Sequence, residues 1–351
     1  MRKSCAHVKC VRHTAMPSEF SLNNLVPLVA VISMNDERLR LVRSMFAGVN
    51  TTIHVFPGVH ASAEDARRWG QCRVVCPPKS VVGIMLAHHN VWRFVVENGL
   101  PSAAVFEDDV RITESFSEVV PHAMAELPED WDLLFLGCFT CSTITFGDWL
   151  MTCCTGLWRQ QTRRFSQHLT QRGLYLGAEA YIVSARGARR LLQLVAATPT
   201  THLDLFISTH AMNGLLTCLS AWPQVAYQDS FDSSTNATLS TPRLLSPFVR
   251  SLRLNAANPY DCRTVGWVLS LALLEVDPVL SINLWTIVVF ALAVALPPAV
   301  VFLFLCVESL LCSTTSERRC CVGFWVAALI GCALRMVVCC VGRKSASKAE
   351  S

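Results

Sequence analysis

Glu107, Asp108 and Asp109 stand together at the end of the apolar run Ser102–Phe106. Three adjacent carboxylates repel one another, and burial makes the repulsion worse. A chain that keeps them needs water, a basic partner or a cation to offset that cost. If the run is a strand, side chains alternate along it, so Glu107 and Asp109 point one way and Asp108 the other. Two carboxylates side by side suit a hard divalent ion such as Mn²⁺ or Mg²⁺, which keeps open positions for phosphate oxygens. An acidic turn facing water would explain the triplet as well.

Cysteine offers a rival chemistry. The chain holds 17 cysteines, among them the pair Cys138 and Cys141, with Cys153 and Cys154 a short way on. Four thiolates could hold zinc, and Cys138-x-x-Cys141 could be a redox pair. Adjacent cysteines make an awkward half-site and no second Cys-x-x-Cys follows, so ordinary loop thiols are the simpler account.

The elements that must carry the acids alternate in type. Short apolar segments at 27–34, 52–59, 102–109, 131–137 and 179–185 read as strands buried on both faces. Helical spacing covers 36–48, with Leu39, Val42 and Phe46 on one face and Gly48 as C-cap, and 81–99, with Ile84, Ala87, Val91, Phe94 and Val95. A third helix follows Ser184, a natural N-cap. Alternating strands and helices predict an α/β sandwich on a largely parallel sheet, with ligands at the carboxyl ends of the strands. The acid triplet sits at such an end.

The 351 residues are 52% apolar and only 16% charged, and the excess apolarity is concentrated at the C-terminus. The expected division is a polar lead (1–25), the α/β region (26–235), a Ser/Thr/Asn/Pro-rich connector (236–278) and two transmembrane segments (279–307 and 320–342). A bilayer takes about 20 apolar residues to cross, and both segments are long enough. Pro297-Pro298 should kink or break the first. Two spans leave both ends on one side. Arg263, Arg343, Lys344 and Lys348 flank them there, against Arg318 and Arg319 between them, which predicts a cytosolic catalytic region. No signal peptide is expected, because no run of about 7–15 apolar residues follows the early basic residues. The net charge of +4 is scattered, without an aromatic-interleaved basic stripe, so nucleic acid is not an expected partner. Asn50 and Asn236 head Asn-x-Thr sequons, which matter only in a secretory lumen.

Six blocks, in order, resemble glycosyltransferase family 25, which includes lipooligosaccharide and collagen galactosyltransferases. They are VPLVAVISMNDERLRLVRSMF, KSVVGIMLAHHNVWRFVVENGLPSAAVFEDDV, WDLLFLG, GAEAYIVSARGARRLL, HLDLFI and QDSFDSST. In the second block Gly83, His88, Trp92 and the acid triplet fill the family's characteristic places. Ala87 stands where the family usually has Ser before His88, and Glu179 where a neutral or aromatic residue is commoner. The resemblance implies a GT-A-like, Rossmann-type nucleotide-sugar-binding fold and inverting transfer of a hexose from a UDP-sugar to a glycolipid, glycan or glycoprotein. It implies a Mn²⁺ or Mg²⁺ ion on Glu107 and Asp109, with Asp108 toward the donor ribose or sugar. Asp204 is the first choice for the base that takes the acceptor proton and Glu179 the second. Helix capping would explain Asp204 equally well. Arg38, Arg40 and Lys79 are candidates for the donor phosphates, and His88 for the site wall. Membrane lipid completes the expected partners. A collagen-type hydroxylysine transferase in a lumen, or an inactive scaffold of the same fold, are the alternatives.

Overall fold

The computed structural model describes residues 20–62, 64–65, 79–138, 163–172, 174–197, 202–228, 244, 272–276, 280–311 and 315–349. Cys141, Cys153, Cys154 and Asn236 lie outside them, as do most of the lead and the connector.

The chain forms β1 (Leu28–Ser33), α1 (Asp36–Ala47), β2 (His54–Pro57), α2 (Lys79–Glu97), β3 (Ser102–Glu107), β4 (Val110–Ile112), α3 (Phe116–Ala125) and β5 (Leu133–Gly137). Then come β6 (Arg163–Arg164), β7 (Leu169–Gln171), β8 (Ala180–Ser184), α4 (Ala185–Ala197), α5 (Leu203–Met212), β9 (Cys218–Ala221) and β10 (Ala226–Gln228). A hairpin of β11 (Ala272–Val276) and β12 (Leu280–Asn283) leads into α6 (Leu284–Ala295), α7 (Pro298–Leu311) and α8 (Thr315–Ala349).

Eight strands make one sheet in the order β2-β1-β3-β8-β5-β9-β7-β6. It is mixed rather than largely parallel. β1 pairs parallel with β2 and β3, and β5 with β9, but β8 runs antiparallel between β3 and β5. Every residue of β8 is buried, so its uniformly apolar pattern carries no sign of its direction. The antiparallel run has a consequence for the site: β8 begins where β3 ends, and Glu107 N–H donates to the Glu179 carbonyl at 3.0 Å.

Strand side chains divide between two cores by the period of two. Ala30, Ile32, Ala103, Val105, Leu133, Phe135, Tyr181 and Val183 meet α2, α4 and α5 on one face. Val29, Val31, Ala104, Phe106, Leu134 and Ile182 meet α1 and α3 on the other. The result is a three-layer α/β/α domain of Rossmann-like kind. Ser184 caps α4 as expected, accepting from Gly187 N–H at 2.9 Å. Gly48 does not take the left-handed C-cap (φ −63); Asn50 does so at φ 48, in an exposed turn. α3 escapes the sequence pattern because Pro121 lies inside it.

Glu126, just past α3, ties the β6–β7 hairpin to the domain. It accepts from Ser166 Oγ, from His168 N–H at 2.8 Å and from His168 Nδ1 at 2.5 Å. These bonds, the Ser166 hydroxyl foremost, hold its carboxyl down at about 2, against a smaller desolvation cost. A depressed carboxyl stabilises the fold above its ordinary pKa of 4.5, and that contribution fades as pH falls towards about 2. Acid titration by circular dichroism over this window should show the loss in the native chain and flatten in Glu126→Gln.

Among the described residues one helix, at the C-terminus through Cys321–Val338, is long and apolar enough to cross a membrane by length and composition. The first apolar segment is not one continuous helix. It breaks at Leu296-Pro297 into α6 and α7, of 12 and 14 residues. Proline lacks the N–H that would continue the helix ladder.

Candidate active site

The carboxyl ends of β1 and β3 open side by side into a cavity of about 680 Å³. Its wall is completed by the 58–61 loop, the first turns of α2 and α5, and the approach to β8. Of the nine residues singled out in the sequence, eight line it: Arg38, Lys79, His88, Glu107, Asp108, Asp109, Glu179 and Asp204. Arg40 does not. It is exposed, two residues on from Arg38 and so on another face of α1.

The triplet splits as strand alternation predicts, although β3 ends at Glu107 and a turn carries the next two acids. Asp108 turns to the end of β1. It accepts from Ser33 Oγ at 2.7 Å and Met34 N–H at 3.4 Å, and it pairs with Arg38 Nη1 at 3.2 Å. Arg38 is placed by Asn35, whose side chain caps α1 through the N–H groups of Glu37 and Arg38. Glu107 and Asp109 turn instead to Gln228 on β10. Its amide lies 3.1 Å from Asp109 Oδ2 and 3.5 Å from Glu107 Oε2.

Asp109 is only 8% exposed, and its Oδ1 accepts no hydrogen bond among the described residues. Burial first, then Glu107 and Asp108, push its carboxyl up to about 8, against smaller opposing effects of Arg38 and Gln228. Five carboxylates line the cavity against two permanent cations, Arg38 and Lys79. The residues therefore fit a cation held by Glu107 and Asp109, whose Oδ1 is buried and accepts no hydrogen bond among the described residues. Among the described residues no three His, Cys, Asp or Glu side chains converge as a complete metal cage. The fit is that of a two-carboxylate site whose remaining positions fall to ligand and water.

His88 is buried beneath Glu107. Its Nδ1 lies 2.8 Å from Tyr181 Oη, which accepts from Trp92 Nε1 at 2.9 Å. An indole only donates, so Tyr181 Oη accepts from Trp92, and the Nε2 edge of His88 faces Glu107 Oε1 at 3.5 Å. Burial raises the Tyr181 pKa, which keeps its proton in place. His88 is thus a wall residue whose Nε2 edge faces Glu107.

Glu179 is fully buried at the head of β8. Asp204 is not a helix cap: the N-cap position of α5 is His202, and Asp204 lies within the first turn. Its Oδ2 accepts from Gly177 N–H at 3.1 Å and its Oδ1 from Leu205 N–H at 2.8 Å, so the carboxylate is fixed at the cavity rim.

Sequence reading passed over Gln228, Ser33 and Tyr181. Gln228 opens the block QDSFDSST and Tyr181 lies in GAEAYIVSARG, so both had a signal in those motifs. Gly83, present in the second block, turns out to have a steric role. A Cβ there would lie 2.2 Å from the Val59 carbonyl oxygen, so only glycine lets the 58–61 loop rest on α2. Gly83→Ala should cost about 1–3 kcal/mol of stability by displacing that loop. Thermal melts check it.

Comparison with known proteins bears on this cavity. Residues 78–207 match the family model described as glycosyltransferase family 25 (LPS biosynthesis protein). The chain is 31% identical over 124 residues to the probable inactive glycosyltransferase 25 family member 3 of Bos taurus, covering 32% of this chain and 17% of that protein. It is 37% identical over 62 residues to procollagen galactosyltransferase 1 of Danio rerio, covering 17% and 10% of the two. It is 39% identical over 62 residues to the inactive glycosyltransferase 25 family member 3 of Homo sapiens, again covering 17% and 10%. The matches thus span less than a fifth of the length of these relatives. The matched stretch holds α2, the acid triplet, Glu179 and Asp204, and over it the chain is similar to glycosyltransferase family 25.

Proposed function

We propose that this chain is a membrane-held hexosyltransferase of GT-A-like fold, moving galactose or glucose from a UDP-sugar to a hydroxyl of a glycolipid, glycan or glycoprotein, with inversion. The observation that carries the reading is the over-acidic cavity, in which Asp109 keeps a buried oxygen unbonded among the described residues. Glu107 and Asp109 would hold Mn²⁺ or Mg²⁺, which when bound supplies charge stabilisation for the departing diphosphate. Arg38 and Lys79 face the same space and can pair with phosphate oxygens. Asp108, committed to Ser33 and Arg38, holds that arginine in place and keeps one edge open to the donor. Asp204, fixed by two backbone N–H groups, takes the proton of the attacking hydroxyl. Glu179 is the alternative base.

The names of two relatives favour a second reading, a silent scaffold that keeps the fold. One assay separates the two. The full-length chain in detergent is incubated with Mn²⁺ and UDP-galactose or UDP-glucose, and release of UDP is followed. Metal-dependent release that Asp109→Ala abolishes supports the transferase. No release with either donor, from a chain shown to be folded, leaves the scaffold.

A further inference from the structure

The apolar C-terminal helices carry an arrangement that sugar transfer does not use. α6 and α8 run in the same direction. Gly331 lies against Phe290 and Ala293, the Cys332 thiol points at the Ala293 carbonyl (3.9 Å), and Arg335 donates to the Leu296 carbonyl. α7 runs back. Ser309, near its end, meets Cys321 at 3.2 Å and Trp325 Nε1 at 2.9 Å, and Phe302 packs edge-on against the Trp325 ring. By this register the start of α6 and the end of α7 are both level with the Cys321 end of the crossing window, and the Leu296–Pro298 turn is level with Arg335. Cys321 to Arg335 measures about 21 Å along a helix, short of a hydrocarbon core of about 30 Å. The α6–α7 pair therefore enters and returns on one side.

The tip is built for low polarity. Pro297 and Pro298 have no N–H, so the carbonyls of Ala293 and Val294 lose their helical donors. Cys332 and Arg335 supply donors at Ala293 and Leu296 from α8. A guanidinium at membrane depth is tolerated where it satisfies such a carbonyl. The outward side chains are apolar: Leu303, Leu310, Leu329, Ile330 and Met336 are 57–86% exposed, a surface suited to lipid.

We propose that α8 is the single membrane crossing among the described residues, that α6–α7 is a re-entrant hairpin, and that the α/β domain faces the non-cytosolic side with Asn50 as an N-glycosylation site. One crossing separates the domain from the tail, where two spans would put both in the cytosol. Arg343, Lys344 and Lys348 follow the crossing closely, against Arg318 and Arg319 close before it (Arg263 lies more than 50 residues upstream), and the basic excess beside the crossing marks the cytosolic end. Cys138, buried at the end of β5, is disulfide-bonded, and such bonds persist in oxidising compartments. Asn50 heads Asn50-Thr51-Thr52 in an exposed turn, with Thr52 exposed too. It lies at the far end of α1 from the cavity, so a glycan there leaves the cavity open.

The test is protease protection of the full chain, tagged at its C-terminus and translated into microsomes. The expected result is removal of the tag with a protected domain fragment. Endoglycosidase should shorten that fragment, and Asn50→Gln should lose one glycan's worth of the shift. Tag and domain both digested, both protected, or digested in the reverse sense would overturn the topology. An unchanged shift in Asn50→Gln would overturn the modification site. None of these readouts needs transferase activity, so their failure leaves the catalytic reading untouched.

Discussion

Asp109→Asn should abolish metal-dependent sugar transfer and at the same time stabilise the metal-free protein. The two effects share one cause. Asp109 is buried beside Glu107 and Asp108, and neither Arg38 at 3.9 Å nor Gln228 at 3.1 Å lifts its carboxyl out of the raised range. An asparagine keeps the carbonyl that Gln228 bonds and removes the charge. Relief of that repulsion is expected to add roughly 0.5–2 kcal/mol, the usual return when a strained functional residue is replaced. The native chain should also gain thermal stability when Mn²⁺ is added, by about 2.7 kcal/mol at a hundred times Kd. The variant should gain almost none. Melting curves with and without Mn²⁺ read both effects, and a variant that melts lower than the native chain without metal would contradict the explanation.

Asp204→Asn should lower kcat by about 10²–10⁴-fold while leaving the donor KM within a factor of about two. The amide can still accept from Gly177 N–H, so the loop before β8 keeps its anchor, and only the basicity is lost. The split between kcat and KM distinguishes a base from a structural tether, which would move stability and KM together. If Asp204→Asn stays active and Glu179→Gln does not, the roles of the two acids are exchanged.

Much of this was readable from residues alone, for reasons that differ by element. β1, β3 and β5 are uniformly apolar and short, and each fell within two residues of its expected bounds. The acid triplet was found because it violates the cost of clustering charge, and a violation stands out without structural context. Eight of nine expected site residues share the cavity because the β1 and β3 ends and the α2 and α5 starts converge on it. Arg40 failed because spacing of two on a helix separates faces, and the motif did not say which arginine points inward. The direction of β8 stayed hidden because a strand buried on both faces looks the same either way round. Gln228 was missed because an amide carries no charge to flag it, and its importance comes only from the two carboxylates it meets. The first apolar segment looked like a span by composition, although Pro297-Pro298 already announced the break.

The most direct test of the account is Mn²⁺ binding by the full-length chain, measured by electron paramagnetic resonance with and without UDP. The account predicts one bound Mn²⁺ per chain, tightened by UDP and lost in both Asp109→Asn and Glu107→Gln. A folded chain that binds no Mn²⁺ with UDP present, or that binds it equally well in both variants, would contradict the claim that the acid pair exists to hold a cation against a diphosphate.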